Sequence, residues 1–218
     1  MDAIAGPALP AFAAFASADS TSTWELMADE AALLHPRAVQ QRRESFRLGR
    51  AAAHAALRAV GRDGEAVLTG DQRQPIWPSG VVGSISHTST LGVAVVAHDK
   101  LSDGVGVDIE RLRFAPELWD QVPVREEQDW LRAMPPPQQD RALLALFSAK
   151  ESVFKAFFPR VGRFFGFESA ILQPTPKGFT GHLVAGLDDG YPPDRTFDVP
   201  TRWSGKTVIT AVVLPRPT

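Results

Sequence analysis

Two acidic residues, Asp108 and Glu110, are separated by one residue, Ile109, in the segment GVGVDIE. The alternating pattern predicts a β-strand, in which alternate side chains point to the same face. Two carboxylates on one face repel each other unless a cation or a basic group lies between them, and Gly106 would leave that face open. Carboxylate oxygens suit Mg²⁺ that is also bound to phosphates. A solvated, exposed strand face is the alternative interpretation.

A second set of polar residues lies in FSAKESVFKAF, a segment that is otherwise almost entirely apolar. At the helical period, one narrow stripe is formed by Ser148, Glu151, Ser152 and Lys155. Lys150 lies outside this stripe among apolar residues, so it is expected to need a partner. Glu151 and Lys155 predict a functional site on a buried helix. The alternative is an i,i+4 ion pair, which contributes little to stability.

Basic residues cluster in RRESFRLGR, where Arg43, Arg47 and Arg50 follow the spacing of one helix face and Arg42 borders it. Guanidinium groups match the geometry of phosphate oxygens, so this helix could clamp phosphates. A solvated helix face with Glu44 as the counter-charge is the alternative.

The segment VVGSISHTS places Ser86 and His87 where a predicted strand runs into a loop. A histidine with neighbouring hydroxyls and free backbone amides can bind a phosphate. A structural or merely exposed histidine is the alternative. No G-x-S-x-G pattern surrounds this histidine, so the sequence does not indicate a serine nucleophile here.

The elements that position these residues follow from hydrophobic periodicity and from turn residues. The order of elements predicts an α+β protein, and two similar lobes are compatible with it. Residues 1–23 are expected to be loosely ordered, and residues 114–137 to be helical before the prolines at 135–137. The predicted helices cover residues 24–34, 36–60 and 140–158, and the predicted strands cover residues 81–85, 92–97, 105–110, 168–172, 181–187 and 208–214.

Composition narrows the functional classes. A chain of 218 residues, 44% of them hydrophobic, can form one compact unit or two small lobes. The net charge of −2 gives no reason to expect nucleic acid or an acidic membrane as a partner. The chain contains no cysteine, which excludes disulfides and thiolate chemistry. The apolar run at residues 3–16 lacks a basic start and contains two prolines, so a cytoplasmic protein without a secretory signal or membrane span is expected.

Taken in order, RRESFRLGR, GDQRQPIWPSGVVGSISH, GVGVDIE, FSAKESVFKAF and RFFGFESA resemble the 4'-phosphopantetheinyl transferase superfamily. The resemblance covers about residues 40–172. Within the superfamily, the sequence is similar in particular to a bacterial group that includes mycobacterial enzymes and the enterobactin-synthetase component. It implies two similar α+β lobes related by a pseudo-twofold axis, with the active site in the cleft between them. The lobes are expected to comprise residues 1–103 and 104–218.

The resemblance also implies a metal-binding set and a phosphate-binding set. Asp108, Glu110 and Glu151 would hold Mg²⁺ on the pyrophosphate of coenzyme A. Lys150 and Lys155 would lie near the phosphates. The side chain between the two strand acids cannot bind a metal, so water is expected to complete the coordination.

The nucleotide end of coenzyme A would be contacted by four further residues, Arg42, Arg50, Ser86 and His87. The resemblance places His87 near the 3'-phosphate. Relatives often carry a lysine at the position of Gln72, so Arg73 is expected to supply that charge instead.

The activity implied by the resemblance is transfer of the phosphopantetheine arm of coenzyme A to a serine of an apo carrier protein, including carrier domains of peptide and polyketide synthases. The second product would be 3',5'-ADP. Glu151, or a water that it orients, would be the general base, and Lys155 would stabilise developing charge. The residues alone leave two alternatives open: a Mg²⁺-dependent phosphohydrolase or nucleotidyl enzyme, and a non-catalytic coenzyme A-binding module. A monomer is expected.

A carrier-docking face is a further hypothesis. Basic and apolar residues alternate after the strand acids, at Arg111, Leu112, Arg113, Phe114, Leu118, Trp119 and Arg125. A basic rim around an apolar centre would complement a small acidic helical protein. The alternative is a helix whose Leu118 and Trp119 face the core.

Overall fold

The structure, a computed structural model, describes residues 4–113, 115–188 and 190–216, so Phe114 of the predicted docking face lies outside the described residues. The first part of the chain forms β1 (Ala13–Asp19), α1 (Ala28–Ala31), α2 (Gln40–Ala59), β2 (Leu68–Thr69), β3 (Pro75–Ile76), β4 (Val81–His87) and β5 (Leu91–His98). The second part forms β6 (Ser102–Arg111), α3 (Leu118–Gln121), α4 (Arg125–Arg132), α5 (Pro136–Val161), a 3₁₀ turn (Phe167–Ser169), β7 (Ala170–Thr175), β8 (Gly178–Leu183), β9 (Thr196–Ser204) and β10 (Thr207–Pro215). The predicted α+β class is confirmed.

The first lobe is an antiparallel sheet in the order β1-β5-β4, covered by α2. Ala52, Ala56 and Leu57 of α2 are buried against the sheet. The small alanine side chains let the helix approach closely. At Gly92 of β5 even a Cβ would overlap the backbone of Leu48, so glycine is required where helix and strand meet. The helix predicted at residues 36–60 is confirmed by α2.

Two expectations for the N-terminal region are wrong. Residues 13–19, expected to be loosely ordered, form β1 because they pair along their whole length with β5. The helix expected at residues 24–34 is reduced to the single turn of α1.

The second lobe is an antiparallel sheet in the order β6-β10-β9-β8-β7, covered by α5. Pro136 stands in the first turn of α5, where its missing N–H costs no hydrogen bond. Gly162 ends the helix in the left-handed conformation with φ 67°. The face of β6 that Gly106 was expected to leave open is filled, because a Cβ at that glycine would overlap the carbonyl oxygen of Ser152 in α5.

Between α5 and β6 the chain is less helical than predicted. Residues 115–137 contain only the short helices α3 and α4 before α5 begins. The strand β9 was not predicted. Among the described residues, no helix is both long and apolar enough to cross a membrane.

The two sheets face each other at the lobe interface. Valine side chains of β5 pack against Val105, Val107 and Ile109 of β6. The Val107 N–H also donates to Ser84 Oγ of β4 at 3.0 Å, which fixes β6 against the first lobe. The alternation predicted for GVGVDIE is therefore confirmed, with its apolar face turned to the other lobe. The division between residues 103 and 104 stays a prediction; β6 itself begins at Ser102.

Candidate active site

Asp108 is the centre of a polar cluster where the two lobes meet. Its side chain is buried, and Oδ1 accepts hydrogen bonds from Ser86 Oγ at 2.9 Å and from Lys155 Nζ at 2.7 Å. Lys155 Nζ donates further to Ser86 Oγ and to the Val107 carbonyl oxygen, each at 3.2 Å. Ser86 belongs to β4 and Lys155 to α5, so these contacts join the first lobe to the helix of the second. The polar stripe predicted on α5 therefore meets β6 at Asp108 in this arrangement.

Glu110 and Glu151 complete the cluster electrostatically. Burial, together with the negative charge of Asp108, raises the pKa of Glu110 to about 7. Burial also raises the pKa of Glu151, with Lys155 opposing this effect and Asp108 adding to it. Three carboxyl groups therefore lie near the positive charge of Lys155, and Arg113 also lowers the pKa of Glu110. Such a site binds a cation more readily than it binds an anion.

The pH dependence of stability tests this electrostatic frustration. Because the pKa of Glu110 is raised to about 7 in the folded protein, the folded state keeps its proton where the unfolded chain has lost it. The metal-free protein is therefore expected to lose stability as the pH rises from about 4.5 to about 7. Glu110→Gln should flatten this part of the profile, measured as the melting temperature against pH. An unchanged profile in this variant would assign the pH dependence to other groups.

The basic residues predicted to bind phosphate lie beside the end of β4. Arg42 and Arg50 both stack on the ring of Phe46, at 5.7 Å and 4.4 Å from its centroid. Arg42 and His87 line an open cavity of about 360 Å³ that also includes Thr88. Partial burial lowers the pKa of His87, and the positive charge of Arg42 lowers it further. The cavity combines a guanidinium, an imidazole and hydroxyl groups, which suits an anion such as a phosphate.

Arg50 is more enclosed than the sequence suggested. Its guanidinium is buried, and Nη2 donates to Thr69 Oγ1 at 3.0 Å and to the Leu68 carbonyl at 3.3 Å. Burial lowers the pKa of Arg50 to about 10, and Arg42 contributes in the same direction. Nε has no hydrogen-bond partner among the described residues.

The other two arginines of the basic helix have structural partners. Arg43 donates to the carbonyl oxygens of Pro36 at 2.6 Å and Ala38 at 3.0 Å. Arg47 forms two hydrogen bonds with Glu44, at 2.7 Å and 2.9 Å. The cluster therefore divides: these two arginines hold the protein together, while Arg42 and Arg50 lie on the side of His87.

A second cavity, of about 610 Å³, adjoins the acidic cluster on its other side. Glu151, Lys155 and Asp103 are among its polar lining residues, and its apolar wall includes four aromatic side chains, Trp77, Phe154, Phe158 and Phe164. Arg73 also lines it and has a left-handed backbone, with φ 65°. The cavity could accept an extended, largely uncharged chain whose phosphate end reaches Lys155.

Comparisons with known proteins identify the family of this chain. A family model described as the 4'-phosphopantetheinyl transferase N-terminal domain matches residues 29–97, and one described as the 4'-phosphopantetheinyl transferase superfamily matches residues 104–192. The chain is 36% identical over 197 residues to 4'-phosphopantetheinyl transferase PptT of Mycobacterium tuberculosis, with 85% of each chain covered. The chain belongs to the 4'-phosphopantetheinyl transferase superfamily.

Two other relatives extend the comparison. Enterobactin synthase component D of Salmonella typhi is 39% identical over 179 residues, which cover 79% of this chain and 72% of the relative. The 4'-phosphopantetheinyl transferase Npt of Nocardia iowensis is 37% identical over 158 residues, which cover 71% of this chain but only 64% of the relative. The predicted membership of this transferase superfamily is therefore confirmed.

Lys150 is the predicted site residue that the structure does not bring to the cluster of this transferase. Its side chain is buried inside the second lobe, where Nζ contacts Glu127 Oε2 at 2.8 Å. It also donates to the carbonyl oxygens of Phe167 at 2.8 Å and Ala170 at 2.9 Å. With three oxygen partners its ammonium is saturated by the protein. The expectation that Lys150 lies near the phosphates disagrees with this arrangement, whereas the expectation that it needs a partner agrees.

The donor set of the cluster fits Mg²⁺ bound jointly with phosphates. Asp108 Oδ2 is buried without a hydrogen-bond partner among the described residues, which leaves one anionic oxygen free to bind a cation. No three acidic or histidine side chains of the described residues lie close enough together to form a metal site by themselves. This agrees with the preference of Mg²⁺ for one or two protein carboxylates completed by phosphate oxygens and water. The three-carboxylate ligand set stays a prediction.

The apolar side chains that were expected at the centre of the carrier-docking face are turned to the core. Leu118 is buried, and Trp119 packs against the core of the second lobe. The alternative interpretation of this segment, a helix facing the core, therefore agrees with the structure. Arg113 remains exposed and is bonded to Glu117 at 3.0 Å.

Sequence reasoning overlooked Thr210, a residue that positions the cluster. Thr210 of β10 lies opposite Asp108 in the register, and it shares a buried hydroxyl network with Ser148 and Ser152 of α5, with Oγ–Oγ1 distances of 2.9 Å and 2.7 Å. This network fixes the helix that carries Glu151 onto the strands that carry the acids. The two serines were noticed as part of the polar stripe, but their partner lies far away in the sequence.

Proposed function

We propose that this chain transfers the 4'-phosphopantetheine arm of coenzyme A to a serine hydroxyl of an apo carrier protein, with Mg²⁺ as cofactor and 3',5'-ADP as the second product. The observation that carries the proposal is the acidic cluster around Asp108 and Lys155, with a basic cavity at His87 and a cavity with aromatic side chains at Lys155. A donor with a phosphorylated nucleotide at one end and an uncharged arm at the other matches this order of surfaces.

The chain's own residues suffice to bind and orient such a donor. Arg42, Arg50 and His87 would hold the nucleotide phosphates through charge-assisted hydrogen bonds. The aromatic cavity beside Glu151 and Lys155 would take the pantetheine arm. Asp108, Glu110 and Glu151 would bind Mg²⁺, which when bound neutralises the pyrophosphate and makes its phosphorus more electrophilic.

The reaction is a displacement at the β-phosphorus. The carrier serine oxygen forms a new bond to this phosphorus, and the bond from the phosphorus to the oxygen of 3',5'-ADP breaks. The serine proton passes to the Glu151 carboxylate or to a water that it orients. A raised pKa suits a general base that works near neutral pH. Lys155, held beside the cluster, would stabilise charge on the phosphate or the leaving group.

The carrier partner is proposed from the relatives. Several of them are named as components of enterobactin synthase, so carrier domains of siderophore-forming peptide synthases are the first candidates. Carrier domains of polyketide synthases are the second. The cytoplasmic location and the monomeric state stay predictions.

Intact-mass measurement tests the proposed function. The protein is incubated with coenzyme A, Mg²⁺ and an apo carrier protein, and the carrier is expected to gain one phosphopantetheine group. A carrier whose acceptor serine is replaced by alanine is the control and should gain none. Release of nucleotide without carrier modification would favour a phosphohydrolase instead, and coenzyme A binding without turnover would favour a binding module. Either result contradicts transfer.

The assignment of His87 to the 3'-phosphate makes a separate prediction. His87→Ala is expected to raise the KM for coenzyme A about 10-fold or more, because it removes a hydrogen bond to a charged group. With 3'-dephospho-coenzyme A as donor, the same variant should differ little from the unmodified protein. His182→Ala, in β8 of the second lobe, is the control. An equal rise in KM with both donors would show that His87 does not contact the 3'-phosphate.

A further inference from the structure

Glu30 of α1 is a buried carboxylate that the proposed reaction does not use. It is 0% exposed, and Oε1 accepts hydrogen bonds from His54 Nε2 at 2.7 Å and from the Val67 N–H at 3.0 Å. Oε2 accepts from the Met27 N–H at 3.2 Å. Burial of this carboxyl raises its pKa, but the hydrogen bonds from His54 and Val67 outweigh that effect, and the pKa lies below its usual value. A buried carboxylate that stays charged carries a desolvation penalty, which hydrogen bonds and a nearby cation can offset.

Besides His54, the basic side chain that lies near this carboxylate is Arg50. Its Nε lies 3.9 Å from Glu30 Oε1, and both side chains are almost fully buried. The guanidinium is further held by Thr69 and by the ring of Phe46. A buried guanidinium without a nearby anion would carry a large desolvation penalty. Glu30 therefore lets Arg50 remain charged and enclosed beside the basic cavity while Nε stays without a hydrogen-bond partner among the described residues.

The second lobe contains the same device around Glu127. Glu127 occupies the third position of α4, as Glu30 does in α1, and its Oε2 accepts from the N–H at the helix start at 2.9 Å. Its Oε1 accepts from the Leu172 N–H at 2.8 Å, as Glu30 accepts from Val67. Its basic partner is Lys150, again on the long helix of the lobe.

The two networks differ in the surroundings of the basic side chain, which is Lys150 in the second lobe and Arg50 in the first. Lys150 is saturated by Glu127 and two carbonyl oxygens, so it can only hold its own lobe together. Arg50 lies beside Arg42 on Phe46, and among the described residues only its Nη2 makes hydrogen bonds. The carboxylate of the second lobe thus stabilises a structural ion pair, whereas that of the first lobe supports a cation at the proposed donor site.

We propose that Glu30 is a positioning residue that fixes Arg50 for binding the nucleotide phosphates of coenzyme A. This inference rests on the proposed function, in which Arg50 contacts the donor. Glu30 acts through Arg50 and does not itself touch the donor.

The chain offers a matched pair of variants for the test, Glu30→Gln and Glu127→Gln. Both remove one buried charge from the same kind of network, so both should lower the melting temperature. Only Glu30→Gln should weaken coenzyme A binding, by about 10-fold or more in titration calorimetry. The KM for coenzyme A should rise in proportion, with kcat at saturating donor largely retained. Glu127→Gln should leave both donor constants within about twofold of the unmodified protein.

A double-mutant cycle with Arg50→Ala separates positioning from general destabilisation. If Glu30 acts through Arg50, then Glu30→Gln should not weaken coenzyme A binding further in the Arg50→Ala background. Equal losses of affinity in both backgrounds would overturn the proposal, as would unchanged affinity in a destabilised Glu30→Gln. If the two glutamine variants do not fold, the comparison is made with Glu30→Asp and Glu127→Asp. Equal affinity of these two variants for coenzyme A would overturn the proposal. An unmodified protein that binds no coenzyme A would contradict the proposed function instead.

Discussion

Changing Glu151 to Gln is expected to lower kcat/KM for carrier modification about a thousandfold, with the protein still folded. The variant loses an anionic oxygen that would hold Mg²⁺ and receive the serine proton. Losing a metal ligand costs several kcal/mol in the transition state, and each 1.4 kcal/mol is about a factor of ten in rate. Asp108→Asn should show a loss of the same order, because the buried carboxylate is paired with Lys155. Both are measured as turnover on an apo carrier at saturating coenzyme A.

Stability distinguishes this catalytic loss from misfolding. Burial raises the pKa of Glu151, so above that pKa its charge is unfavourable in the folded protein. Glu151→Gln should therefore melt at the same temperature as the unmodified protein at pH 8, or at a higher one. The exposed Glu126 of α4 provides the control, and Glu126→Gln should change neither turnover nor melting temperature. Near-normal turnover in a folded Glu151→Gln would remove this glutamate from the chemistry.

Hydrophobic periodicity was sufficient to predict the elements that carry the chemistry. The alternation in GVGVDIE gave the correct faces for β6, because its valines pack in the core between the two sheets while Asp108 meets Lys155 of α5. The 3.6-residue period of FSAKESVFKAF placed Lys155 on a polar stripe that meets this strand. Both patterns are local in the chain, and the burial on either side of each element is nearly complete.

Pairings between distant segments could not be predicted in the same way. The strand β1 is rich in alanine, which has little strand propensity, and it exists because it pairs with β5 some eighty positions later. Glu30 and Glu127 show no pattern in the sequence that marks them as buried. Apart from the N–H at the start of its own helix, the partners of each glutamate lie 20 to 45 positions away, and only the folded lobes bring them together.

For Lys150, the resemblance to the transferase family gives the position in the sequence but not the direction of the side chain. Its position next to Glu151 in the sequence matches the transferase motif, and the sequence correctly indicated that a lysine among apolar residues needs a partner. On a helix, however, adjacent residues point about 100° apart. Glu151 therefore faces the cluster while Lys150 turns into the lobe and meets Glu127.

Substitution of the two lysines of α5 is expected to have opposite effects, on folding stability at Lys150 and on turnover at Lys155. Lys150→Met should leave the buried Glu127 carboxylate without its cation and cost about 3–5 kcal/mol of folding stability. The turnover of the fraction that remains folded should change little, because Lys150 touches none of the proposed reacting groups. The measurements are denaturant unfolding and kcat at a temperature well below the melting point.

Lys155→Met is the matched variant on the same helix. Its ammonium is partly exposed and contacts Asp108 at the cluster, so its loss should affect turnover far more than stability. A fall in kcat of about a hundredfold is expected, since a hydrogen bond to a charged group contributes about 1.5–3 kcal/mol. If Lys150→Met instead lost turnover at unchanged stability, Lys150 would have to leave Glu127 when the donor binds. The predicted phosphate role of Lys150 would then be correct, and its buried position would belong to the donor-free protein alone.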